Sequence, residues 1–104
     1  MRASKRDKLK GRGWKVGDPA GFLGLTPEEE ALIELRLKLS DGLRNRRVRK
    51  RLTQIALAKA VNSSQSRVAK MEAGDPTVSI DLLVRSLIAL GASNRDLAKI
   101  IAPR

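Results

Sequence analysis

Between Ala60 and Pro76 the chain reads AVNSSQSRVAKMEAGDP, which gathers Ser64, Gln65, Ser66, Arg67 and Lys70 into one short stretch. Hydroxyls, a carboxamide and two cations at that density suit hydrogen bonding to a patterned polar partner. A glutamine can hold adenine through two hydrogen bonds and an arginine can hold guanine, each good pair discriminating by about 1–3 kcal/mol. Upstream, LRNRRVRKRL carries six basic residues between Arg44 and Arg51 and no acid. Such a run suits phosphate contact, or else forms a solvated helix face. Bond-making chemistry is poorly served. The chain has no histidine and no cysteine, which removes the common ligands for zinc and the common nucleophile and base pairs. No phosphate-cradling glycine loop occurs, and Glu28, Glu29 and Glu30 are better used in the first turn of a helix. Neither an enzyme nor a cofactor is expected.

Composition narrows the partner. A chain of 104 residues has room for one domain and a tail. Its 22 Lys and Arg stand against 11 Asp and Glu, a formal charge of +11, so the expected partner is a polyanion. Trp14 and Phe22 are the only aromatic residues, too few for the stacking platforms that bind single strands. The basic start MRASKRDKLKGRGWK lacks the apolar stretch of a signal peptide. No run approaches the ~20 apolar residues of a membrane-spanning helix, so a soluble cytoplasmic protein without membrane contact is expected.

The elements that must position these residues are legible from their caps. Residues 1–25 hold seven basic residues, two acidic ones and five glycines, the composition of a flexible basic arm. Phe22, Leu23 and Leu25 are expected to anchor it. From residue 26 to 104 the pattern is helical. Thr26 as N-cap, Pro27 at the first helical position and Glu29 as capping-box partner open a helix. Its apolar stripe is Leu32, Leu35, Leu39 and Leu43. Asp41-Gly42 interrupts the stripe, and one long helix, bent there if anywhere, is favoured over two. Thr53 starts a second helix that Asn62 ends. Ser64 starts a third that Gly74 stops, with Pro76 behind it. Ser79 starts a fourth, ended by Gly91, and Ser93 with Asp96 forms a capping box for a fifth. No strand pattern survives, so the fold class is all-α, a five-helix domain with a basic N-terminal arm.

The second and third helices, of about two turns each and joined by a few residues, have the arithmetic of a helix-turn-helix. The segment LTQIALAKAVNSSQSRVAKMEAGDPTVSIDLLVRSLIALGAS resembles the XRE/Cro/C1-type repressor family, whose domain is lambda-repressor-like. The resemblance rests on Leu52-Thr53-Gln54, Ala58, Ser64-Gln65 and Glu72-Ala73-Gly74, over about residues 39–101. It implies a sequence-specific regulator of transcription, a repressor, that reads the major groove of a double-stranded operator with helix 65–73. Gln65, Ser66, Arg67 and Lys70 are then the expected base readers. Thr53, Gln54 and Ser64, at helix starts whose backbone N–H groups suit anions, are expected at phosphates, with Arg44, Arg49, Lys50 and Arg51 beside them. Lys8, Lys10 and Arg12 of the arm would reach a neighbouring groove. The resemblance also pairs Arg47 with Glu72.

The chain departs from the family at Ile55, usually polar, and at Ser63, usually apolar. Ile55, Leu82 and Ile88 lie off the core stripe of Ile80, Leu83, Val84, Leu87 and Leu90. For Leu82 and Ile88, burial against the first helix and a surface for a homodimer partner are equally open. FLGLTPEEEALIELRLKL ahead of the helix-turn-helix is similar to HigA-type antitoxins, which bind their own operator and a RelE-like toxin. A nonspecific basic binder of nucleic acid is the remaining alternative, marked by a steep salt dependence without sequence preference.

Overall fold

A computed structural model describes residues 24–102. Among these residues there are five α-helices and no strand: α1 (Pro27–Arg49), α2 (Gln54–Ala60), α3 (Gln65–Ala73), α4 (Ile80–Ala89) and α5 (Asn94–Ile101). The chain divides into two compact units, one ending at Ile33 and one running from Glu34. The arm expected over residues 1–25, with Lys8, Lys10, Arg12, Phe22 and Leu23, lies outside the described residues except for Gly24 and Leu25.

In the first unit the start of α1 is a capping box. The Thr26 amide donates to Glu29 Oε1 at 2.8 Å and the Glu29 amide donates to Thr26 Oγ1 at 3.1 Å. Pro27 has no N–H to leave unsatisfied in the first turn, and Glu28, Glu29 and Glu30 face the positive end of the helix dipole. Leu32, on the apolar stripe, is 50% exposed.

In the second unit each helix starts on a side chain that accepts an otherwise unpaired amide. Thr53 accepts from Ala56, Ser64 from Arg67, Ser79 from Leu82 and Ser93 from Asp96. Each such cap contributes about 1 kcal/mol. Their ends are equally local. Gly74 and Gly91 adopt positive φ after α3 and α4, where a Cβ would be strained. Asn62 does the same after α2 at φ 57°. Arg51 also turns left-handed, at φ 59°, and the Leu52 amide folds back to donate to the Arg47 carbonyl at 3.1 Å. That turn ends α1 and aims the chain into α2.

Leu39 and Leu43 of α1 meet Leu57 and Ala58 of α2, Val68 and Met71 of α3, and Leu83 and Leu87 of α4 in one core, closed by Val78, Leu90 and Ala92. Burying each large apolar side chain contributes roughly 1.5–3 kcal/mol, which is what holds helices too short to persist alone. Leu82 packs partly buried against this core, whereas Ile88 is 54% exposed and Ile55 58%. The α1 helix runs unbroken through Gly42. A Cβ there would come within 2.8 Å of Ile100 Cδ1, so the glycine permits α5 to lie close against α1.

Candidate nucleic-acid interface

The α3 helix divides into two sides. Val68 and Met71 are fully buried, while Gln65, Ser66, Arg67 and Lys70 are exposed. A spacing of three residues places Val68 and Met71 on the core side, which leaves the polar residues of the first two turns outward. Packing therefore fixes which way these polar side chains face.

Behind that face runs a chain of hydrogen bonds. Arg47 on α1 donates from Nε and Nη2 to the two oxygens of Glu72 on α3, at 2.5 and 3.0 Å. The Glu72 side chain is only 4% exposed. Hydrogen bonding to Glu72 raises the Arg47 pKa further, against the opposing effect of burial. Arg47 Nη1 also donates to the Leu52 carbonyl at 2.8 Å, tying the turn before α2 to the same guanidinium. Gln54 Nε2 then donates to Glu72 Oε1 at 3.1 Å, and Gln65 Nε2 donates to Gln54 Oε1 at 2.7 Å.

Charge sets the direction of this chain. An ionised carboxylate only accepts, so Gln54 must present its NH2 to Glu72, and its carbonyl oxygen is left to receive the Gln65 amide. Among the described residues one Gln65 N–H and its carbonyl oxygen have no partner, a donor and an acceptor of the kind a carboxamide can offer to adenine.

A groove of about 280 Å³ lies alongside, lined by Ser64, Ser66, Arg67 and Lys70 of the α3 segment and by Thr77 and Val78 of the next loop. Thr77 is a residue the sequence pattern did not single out. Its amide and hydroxyl donate to Asp75 Oδ1 at 2.8 and 2.6 Å, which holds the Asp75 carboxyl below the usual carboxylate range. Arg36 of α1 donates to the Val78 carbonyl, fixing the loop against the bundle. Asp75-x-Thr77 after a helix-stopping Gly74 is the short side-chain turn that signals this loop in the sequence. The approach of the loop to Arg67 and Lys70 is tertiary.

The expected phosphate residues separate. Thr53 caps α2 and Ser64 caps α3, with Ser64 Oγ 3.2 Å from Ser66 Oγ. Gln54 is drawn into the chain of hydrogen bonds. Arg44, Arg49, Lys50 and Arg51 are exposed. Arg49 lines a different groove, against α5, and Lys50 Nζ lies 4.0 Å from where a Cβ on Gly91 would sit.

Two short capped helices, the second with its polar face outward and its apolar face in the core, match in the family comparison as well. A family model described as a helix-turn-helix domain matches residues 38–99. The chain belongs to the helix-turn-helix domain family. In this member the matched segment begins at Lys38, one residue before the first fully packed leucine of α1, and ends at Lys99 in α5. It thus takes in the whole core described above. Comparison with curated proteins and with solved structures finds no match. Among the described residues no group of acidic side chains is arranged to hold a metal ion, and no helix is long and apolar enough to cross a membrane.

Proposed function

We propose that this helix-turn-helix protein is a sequence-specific regulator of transcription, a repressor, that lays α3 in the major groove of a double-stranded operator. The observation that carries the reading is Gln65, exposed at the start of α3 yet held in one orientation through Gln54 and Glu72 by Arg47. A restrained reading side chain loses less conformational freedom on binding than a free one. A nonspecific binder would have no use for that restraint.

In this reading Gln65, Ser66, Arg67 and Lys70 contact base edges. Thr53, Ser64, Arg44, Lys50 and Arg51 meet phosphates and set register, which carries no sequence information by itself. Gln54 acts through Gln65 as well as beside the backbone. The protein works as a homodimer that places two α3 helices about one turn of duplex apart, and the exposed Ile88 on α4 offers apolar surface for such a contact. An antitoxin role with a RelE-like toxin rests on the sequence resemblance to HigA-type antitoxins, and stable co-purification with a small toxin tests it.

The test of the main reading is binding to a duplex from the protein's own upstream region against a scrambled duplex across a salt series. A preference of about a thousandfold or more at moderate salt is expected. Equal affinity for every duplex tried, vanishing together as salt rises, would return the protein to the class of nonspecific basic binders.

A further inference from the structure

A second basic groove lies between α1 and α5, apart from the reading helix. On α1, Gly42, Asn45, Arg46 and Arg49 recur at spacings of three and four residues and form one stripe facing α5. On α5, Lys99 and Ile100 face back, with Asp96 one turn earlier. At one end the helices close together, because Ile100 occupies the space where Gly42 has no side chain. Beside this contact the two helices line a groove of about 290 Å³.

Its charge is unbalanced. Three cations, Arg46, Arg49 and Lys99, stand around one carboxylate, Asp96, which is engaged already. Asp96 accepts from the Ser93 amide at 2.9 Å and pairs with Arg46 Nη2 at 3.0 Å. The Ser93 hydrogen bonds, and after them Arg46, hold its carboxyl below the usual range. Arg46 is held by this pair, and its Nε–H has no acceptor among the described residues. Neither Arg49 nor Lys99 pairs with a carboxylate among the described residues. Successive arginines thus serve different faces of α1. Arg47 is used to orient α3, and Arg46 anchors α5 beside Arg49, Lys99 and the Asn45 carboxamide.

We propose that this groove binds a phosphate group, with Arg49 and Lys99 as the charged walls, Asn45 as a hydrogen-bond donor and Arg46 as the residue that positions α5. The group belongs either to nucleic acid flanking the operator or to a small phosphorylated molecule. A guanidinium fork and an ammonium lining one groove suit an oxyanion, and a phosphate carries enough charge and enough acceptor oxygens to engage both.

The experiment uses the full chain and two variants, Lys99→Glu and the milder Lys99→Gln, each first checked for unchanged helix content. Backbone amide shifts are followed by NMR as inorganic phosphate is titrated against chloride at equal ionic strength. Saturable shifts are expected at Gly42, Asn45 and Lys99, weakened in Lys99→Gln and abolished in Lys99→Glu. The same proteins then bind the operator duplex and one lengthened by about one helical turn at each end. If the phosphate comes from flanking nucleic acid, Lys99→Gln lowers the salt slope by about 0.9 on the longer duplex only. If it comes from a small molecule, the phosphate shifts remain and both slopes match the parent. Absence of phosphate-specific shifts in the groove, together with unchanged slopes on both duplexes, would overturn the proposal. The titration uses no operator, so its result is independent of whether α3 reads sequence.

Discussion

Replacing Arg47 with methionine tests the chain of hydrogen bonds behind the outward face of α3 at its origin. The change removes the two guanidinium contacts to Glu72 and the 2.8 Å bond to the Leu52 carbonyl. Glu72, 4% exposed, then keeps only the 3.1 Å bond from Gln54. Two unit charges about 4 Å apart interact by about 4 kcal/mol at an effective dielectric of 20. Stranding one partner of a buried pair costs about 3–5 kcal/mol. Total stability for a domain of this kind is only about 5–15 kcal/mol, so the loss is large. At roughly 4–8 °C per kcal/mol, Tm should fall by at least about 12 °C. Urea unfolding of the parent, Arg47→Met, Glu72→Gln and the double variant gives the coupling directly, provided the slope m is unchanged. Glutamine at position 72 keeps an acceptor for Gln54 without a charge to strand. The double variant should therefore be more stable than the sum of the singles implies, by about 1–3 kcal/mol. If the two single losses add within about 0.5 kcal/mol, the pair is not coupled, and the argument that Arg47 restrains Gln65 through Glu72 loses its basis.

Three further outcomes are expected. Gln65→Ala should relax operator selectivity at one base position by about 1–3 kcal/mol, and Gln54→Ala should weaken the same position less; equal loss on every sequence in a binding-selection assay would contradict both roles. Gly42→Ala gains about 1 kcal/mol of helix propensity but forces a Cβ to within 2.8 Å of Ile100, an overpacking that costs about 1–3 kcal/mol. It should lower Tm alone and raise it in an Ile100→Ala background, and a stabilising Gly42→Ala by itself would disprove the close approach. The Asp96 carboxyl is held below its usual value, chiefly by the Ser93 amide and hydroxyl, so the folded state binds fewer protons than the unfolded chain. Its stabilisation is complete above the unfolded pKa near 3.9 and is lost as pH falls through the lower folded value. Asp75 adds a contribution of the same sign. Melting followed below about pH 5 should fall less steeply for Asp96→Asn than for the parent, and superimposable acid limbs would show that Asp96 is not linked to folding.

Much of this fold is written locally. Thr26 with Glu29, Thr53, Ser64, Ser79 and Ser93 with Asp96 each settle a helix start within three residues, and Gly74, Gly91 and Asn62 settle ends through the conformations they tolerate. Interactions of that range depend on neighbours in the chain, so the sequence by itself determined the five helices of the described residues and the helix-turn-helix. It also determined an excess of positive charge, which no packing can alter.

Contacts between distant residues were decided elsewhere. An apolar stripe does not say where a neighbouring helix begins, so Leu32 reads like Leu39 although one is exposed and the other buried. Leu82 and Ile88 read alike too, and only one packs on the core. Gln54 reads as a surface residue at a helix start, but the buried Glu72 draws its amide inward and so assigns it to Gln65. Arg46 and Arg47 sit side by side in a basic run, and only the family resemblance singles out Arg47, as the partner of Glu72. Their separate engagements with Asp96 and Glu72 follow from the 100° between successive residues on α1 and from which helices pack on each side. That last fact belongs to the tertiary structure, because it is fixed only when all the apolar faces are buried together.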